Sequence, residues 1–195
     1  MHGLINRSLQ CFVRDTYGDD NWRSIAKSAR LGFVNFEALM TYPDELTFRA
    51  LTAACTTLNK PSDVLLEDLG TYLVSHPNLE AVRRILRFGG ETFLDFLYSL
   101  DDLPDRVRLA VPDLNLPRLE LREHSPGALT LRSIGACPGF GHVMVGILRA
   151  MSDDYGTLAF LEHLGAGNGE EIVSVQLLEV GFSAGREFRL ALGSA

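Results

Sequence analysis

Up to about residue 112, apolar positions recur at spacings of three and four, the period of an amphipathic helix. Leu4, Ile5, Leu9, Phe12 and Val13 form one stripe, and Trp22, Ile25 and Ala26 begin another. Val64, Leu65, Leu69 and Leu73 make a third, and Phe93, Leu94, Phe96, Leu97 and Leu100 a later one. The boundary residues agree. Asp19-Asp20 precede Trp22, Pro43-Asp44-Glu45 opens an apolar set, and Pro61-Ser62-Asp63 opens the next. Gly18, Gly32 and His76-Pro77-Asn78 are stops, and Gly89-Gly90 divides a helix over Leu79–Phe88 from one over Glu91–Leu103.

Beyond residue 112 the period becomes two. Pro112 and Pro117 bracket a loop, after which Leu119-Glu-Leu-Arg and Leu129-Thr-Leu-Arg alternate as half-buried strands do, with Ser125-Pro126-Gly127 as the turn. A helix from about Phe140 to Tyr155 follows, with Val143, Ile147, Leu148 and Met151 on one face. Further strands are predicted over Thr157–Leu164, Ile172–Phe182 and Glu187–Ala191. Helices first, then an antiparallel sheet with an inserted helix, is an α+β plan. With no repeat or linker, residues 1–195 read as one domain, a helical lobe over about 1–112 and a sheet lobe over about 113–195.

Composition narrows the function. A net charge of −7, from 18 basic and 25 acidic residues, lacks the positive field that a nucleic-acid binder uses. No apolar run reaches membrane-spanning length, and the polar MHGLINRSLQ start lacks a secretion signal's apolar stretch, so a cytoplasmic protein without membrane attachment is expected. Cys11, Cys55 and Cys137 suggest neither a disulfide framework nor a zinc site. His2, His76, His124 and His163 show no metal-ligand spacing. No nucleophile elbow or His-Glu-x-x-His stands in the chain, so catalysis is not expected. Asp101-Asp102 and Asp153-Asp154 read as solvated helix ends, and Tyr98 as a packing residue. Gly165-Ala-Gly167-Asn-Gly169 reads as a hairpin turn. Gly135 to Gly141 runs into a helix start, where backbone N–H groups can hold an anion.

The opening Met1-x-Gly3-Leu4-Ile5-Asn6-Arg7, followed by Asp15-Thr-Tyr17-Gly18 and Trp22, resembles the H-NOX family, the heme–nitric oxide/oxygen binding (HNOB) domains. The likeness continues through Leu65-Leu-Glu-Asp-Leu-Gly70, Phe96-Leu-x-Ser-Leu-Asp-Asp-Leu103, Asp105-Arg-Val-Arg-Leu109, Pro112-Asp-Leu, Pro117 and Pro138-Gly139. It implies an H-NOX-like sensor with heme between a helical distal lobe and a sheet-based proximal lobe. It also implies an iron-ligating His thirteen residues before Pro117, and a Tyr-x-Ser-x-Arg motif for the propionates. Gas binding in the family is read by a kinase, a cyclase or a cyclic-di-GMP enzyme.

Counting back thirteen from Pro117 gives Pro104, whose ring offers iron no donor atom. The propionate motif falls on Ser133, Gly135 and Cys137, so none of its three residue types is present. Charge-assisted bonds of that kind contribute about 1.5–3 kcal/mol each. A proline at 104 also predicts a break in the helix, with Ser99 to Asp102 as the interruption and a fresh turn at Asp105. The sequence therefore reads as a member that has lost its heme. It is expected to keep a regulatory role through a separate signalling protein or a different small ligand, with no attached kinase, cyclase or receptor helix expected. The former pocket is expected to be lined by Ile5, Leu73, Phe96, Leu100, Leu103 and Phe140, with Pro117 and His142 beside them. The alternative is a heme sensor with His142 or Cys137 as axial ligand. His142 otherwise reads as a first-turn residue facing solvent or bonding to backbone, and Cys137 as a small buried hydrophobe.

Overall fold

The computed structural model describes residues 1–178 apart from residues 88 and 136. Helix α1 (Gly3–Tyr17) starts where the His2 ring accepts a hydrogen bond from the Leu4 amide at 3.1 Å. Gly18, at φ +96°, ends it and turns the chain into α2 (Asp19–Ser28). The pair packs with α3 (Asp44–Leu58) and the first half of α4 (Ser62–Ser75) around Phe12, Val13, Trp22, Ile25, Phe36 and Leu65. Two buried polar side chains do specific work here. Gln10 accepts from the Phe36 amide at 2.8 Å, and the Trp22 indole donates to the Val34 carbonyl at 2.6 Å, so the loop after α2 is tied to the core.

A 3-10 turn (Pro77–Leu79) leads into α5 (Glu80–Arg87). Helix α6 (Phe93–Tyr98) begins at a capping box between Thr92 and Asp95, and the hydroxyl and amide of Thr92 hold the Asp95 carboxyl below its usual range. The chain then leaves α-geometry for a 3-10 turn over Ser99–Asp102 and resumes as α7 (Leu103–Ala110), with Pro104 in its first turn. That is the interruption the proline predicts. A first-turn proline lacks only an N–H that no helix carbonyl would have accepted.

The sheet is antiparallel in the order β1 (Arg118–Ser125), β2 (Ala128–Ile134), β4 (Glu170–Leu177), β3 (Ala159–Gly167), with α8 (Phe140–Asp154) between β2 and β3 in sequence. Leu119, Leu129, Leu131, Val173 and Val175 share the inner face, which forms one core with Met144, Val145, Leu148 and Met151 of α8. Val74, Leu86, Phe93, Phe96, Leu97, Leu100 and Leu103 complete it. The apolar cores thus divide within α4, whose Leu65, Leu69 and Tyr72 belong to the first and Val74 to the second.

Helices α4 and α8 cross in backbone contact. A Cβ on Gly146 would lie 1.9 Å from the Glu67 carbonyl oxygen, and one on Gly70 would lie 2.1 Å from that of Val143. The crossing joins the two cores, and Leu73 and Val143 beside it touch both. The expected strand over Glu187–Ala191, and the end of that over Ile172–Phe182, lie outside the described residues.

Some side chains behave differently from their reading. Tyr98 is half exposed, and its hydroxyl donates to Glu123, which raises its pKa. Asp101 accepts from the Leu121 amide at 2.8 Å, and Asp154 takes a two-pronged contact from Arg83, including Nε at 2.6 Å. Asp101, Asp102 and Asp153 are exposed as expected, but Asp101 also ties its turn to β1, and Asp154 is partly covered because its helix end packs against α5.

Candidate functional site

Pro104 is buried at the start of α7, between Leu103 and the exposed Asp105. Pro117 is buried just before β1. Gly135 lies over it: a Cβ there would stand 3.4 Å from the Pro117 Cα, and its φ of +148° is one that side-chain-bearing residues rarely adopt. Ser133 is buried on the inner face of β2, directly opposite Glu171 of β4. Cys137 is a half-buried free thiol. Burial pushes its pKa up, the charges of Glu171 and Asp44 add to this, and the N-terminal amine opposes it. The positions matched to the propionate motif thus sit where the end of the sheet, the start of α8 and the N-terminus of the chain meet.

The residue that organises this corner is Glu171. Its side chain is 10% exposed. One carboxylate oxygen accepts from the Gly139 amide at 2.6 Å, and the other accepts from the Gly141 amide at 2.8 Å and from His163 Nε2 at 3.1 Å. A carboxylate only accepts, so this contact gives His163 its proton on Nε2. Both amides stand at the N-terminal end of α8, where backbone N–H groups have no helical partner and the dipole favours an anion. Glycine makes the approach possible. Gly139 has φ +87°, and a Cβ on Gly141 would be 2.6 Å from the Glu171 carboxylate and 2.7 Å from the His163 ring.

His142 extends the group. Its ring stacks on His163 with centroids 3.9 Å apart, and its Nδ1 is buried 3.6 Å from Glu67 of α4 without a hydrogen bond. Glu67 also takes Arg149 at 2.9 Å. His142 is thus partly covered, its side chain 23% exposed and its Nδ1 buried, because α4 and β3 pack against the first turn of α8, and it makes no hydrogen bond to backbone. Among the described residues, no group of three or more His, Cys, Asp or Glu is arranged to hold a metal ion.

The expected pocket residues fall in two settings. Phe96, Leu100 and Leu103 are buried in the core under the sheet, and Leu73 and Phe140 pack partly buried against it. Ile5 is half-buried on α1 outside both cores. Surface grooves lie elsewhere, one between the end of α2 and α3 along Arg30, Phe48, Arg49 and Thr52, another beside Asp102, Arg106 and Leu109.

The haem-NO-binding (HNOB) family matches residues 2–163, from the cap of α1 to the histidine of β3. The chain belongs to that family. Its curated relatives include the soluble guanylate cyclase gcy-31 of Caenorhabditis elegans, 25% identical over 154 residues, which are 79% of this chain and 22% of that protein. Another is soluble guanylate cyclase 89Db of Drosophila melanogaster, 22% identical over 156 residues, 80% of this chain and 23% of that one. The chain thus spans about a quarter or less of their length. Among solved structures, an Fe(II) unliganded H-NOX protein from K. algicida superposes with a TM-score of 0.76 at 17% identity, covering 92% of this chain and 97% of that one. The I5F mutant of T. tengcongensis H-NOX gives 0.75 at 17% identity, covering 92% and 98%. The fold is that of an H-NOX domain, α+β as the pattern predicts.

No helix among the described residues is long and apolar enough to cross a membrane. Of the residues that matter here, sequence reasoning missed Glu171, His163 and Glu67. For two of them a weak signal was present: Glu171 stands in phase with the buried row of β4 and His163 with the half-buried row of β3, while Glu67 on α4 gives none.

Proposed function

We propose that this H-NOX domain is a heme-free regulatory module that acts through contact with a signalling enzyme. The observation that carries the reading is Pro104, a buried ring without a donor atom in the slot where the family resemblance expects the iron ligand. Three further features support it. Burial first, and then the charge of Glu171, raises the Cys137 pKa, which adds to the cost of forming the thiolate that iron would bind. His142 is engaged by His163 and lies against Glu67. Finally, Glu171 puts a buried carboxylate beside the Ser133 and Cys137 positions, where a heme propionate would bring a second negative charge. These residues do not fit heme.

The output is a separate protein or a further segment of the same one. That the relatives are soluble guanylate cyclases favours a cyclase, with a kinase or a cyclic-di-GMP enzyme as the other classes. The domain itself performs no catalysis, binds neither nucleic acid nor membrane, and works in the cytoplasm. Any small ligand it takes is other than heme.

The test is the absorption spectrum of the chain expressed with a heme supply. The expected result is no stoichiometric Soret band. A full band that moves on adding nitric oxide would overturn the proposal, and its loss in His142→Ala or Cys137→Ala would name the iron ligand.

A further inference from the structure

Three hydrogen-bond donors converge at the start of α8: the amides of Gly139 and Gly141, and Nε2 of His163 from β3. Both glycines are required by the approach, one by its positive φ and one because a Cβ would strike the bound carboxylate. What fills the point is a carboxylate that reaches over from β4. We propose that this is a carboxylate-binding cradle kept closed by the protein's own Glu171, so that α8 is fixed to the sheet by a residue of the chain acting as an internal ligand.

The chemistry selects the ligand class. Two backbone N–H groups at a helix N-terminus and one imidazole N–H suit the two oxygens of a planar anion, each oxygen taking at least one donor. The surroundings are shielded, since the Glu171 side chain is 10% exposed and that of His163 12%. Behind His163 stands the His142 ring, and behind that Glu67 and Arg149, so the carboxylate also closes a chain of contacts running from β4 through α8 to α4. With Glu171 in place the cradle is full. Removing its side chain exposes the same donors to a small carboxylate from solution.

Chemical rescue tests this on the full chain. Glu171→Ala lowers the thermal midpoint by roughly 10 °C or more, the loss expected from three charge-assisted hydrogen bonds in a chain of this size. Sodium formate or acetate, compared with sodium chloride at equal ionic strength, then raises the midpoint of Glu171→Ala and leaves the wild type unmoved. Gly141→Ala, whose Cβ occupies the cradle, is destabilised and gains nothing from either anion. Equal response of wild type and Glu171→Ala to formate, or no loss on removing the carboxylate, overturns the proposal. Should Glu171→Ala fail to fold, amide exchange in the wild type decides. The Gly141 amide stands in a helix first turn, where N–H groups ordinarily exchange quickly. Strong protection there supports the cradle, and exchange at the rate of an exposed amide overturns it. Every arm is read on protein without heme, so its outcome is separate from that of the absorption test.

Discussion

The contact that joins the two cores can be tested with one methyl group. At the α4–α8 crossing, a Cβ on Gly146 would be 1.9 Å from the carbonyl oxygen of Glu67, 2.8 Å from the amide nitrogen of Thr71 and 2.9 Å from the Glu67 carbonyl carbon. Close carbon–oxygen contacts settle near about 3.3 Å, so Gly146→Ala forces a displacement of about 1.4 Å. The obstacle is backbone and cannot rotate away. Overpacking of a core costs about 1–3 kcal/mol, and a backbone obstacle belongs at the upper end. Against this, alanine gains about 1 kcal/mol over glycine in a helix interior. The net is a loss of about 2 kcal/mol, or about 4–8 °C in thermal midpoint for a chain of this length. Gly167→Ala is the control, because a Cβ there meets nothing within 4 Å. Gly70→Ala strikes the same crossing from the other helix, where its Cβ would be 3.0 Å from the Gly146 Cα. The double variant should therefore cost less than the sum of the singles, since one separation of the helices relieves both. If Gly146→Ala melts at or above the wild type, the helices do not cross in contact and the link between the cores lies elsewhere.

Two other outcomes follow from the packing. Leu100 is fully buried among Phe96, Leu97 and Leu103, so Leu100→Ala should cost about 2–5 kcal/mol in urea unfolding. A loss under about 1 kcal/mol would mean that the space beneath α6 is a void and not a packed interior. Burial first, and then donation of its hydroxyl to Asp15 at 2.6 Å, raises the Tyr72 phenol above its ordinary value. A raised folded-state pKa favours folding while the group is protonated, so that contribution is complete below the unfolded value of about 10 and drains away as pH climbs past it. Thermal midpoints measured from neutral to strongly alkaline pH should fall less steeply in Tyr72→Phe than in the wild type; parallel curves would refute the assignment.

Much of the fold is local and was therefore legible. The stripes at spacings of three and four, closed by Gly18 and opened by Pro61, mark helices whose ends the structure places within a few residues. The break at Pro104 was legible for the same reason, since a proline acts on its own turn whatever surrounds it. The strand alternation of Leu129-Thr-Leu survives as buried and less buried positions, whereas in β1 Leu119 is buried and both Glu120 and Leu121 are half-buried. What the pattern did not carry was pairing at a distance. The change of period near residue 112 separates helices from strands, but the cores divide within α4, because Leu65, Leu69 and Tyr72 pack with α1 to α3 and Val74 packs under the sheet. The reason α4 can reach α8 is a pair of glycines far apart in sequence, each of which by itself looks like a weak point in a helix.

The anion corner shows the same limit from the side of chemistry. Read along the chain, Glu171 follows a glycine-rich turn and precedes Ile172-Val173, so it looks like a solvated residue at the start of a strand. Read by phase, it belongs with Val173 and Val175, whose side chains are buried, and a charge in that row must be compensated or expelled. His163 stands in the same relation to Leu161, and Ser133 to Leu129 and Leu131. All three interruptions fall toward the end of the sheet where α8 begins, and the register makes Ser133 and Glu171 direct partners. A helix start reached through Gly135 to Gly141 was readable as an anion site; the residue that occupies it was not. That occupant needs the sheet order β2-β4-β3, which puts β4 between the strand that leads into α8 and the strand that leads away from it. Only that order brings a carboxylate from β4 onto the amides of Gly139 and Gly141, and with it the reason both positions are glycine.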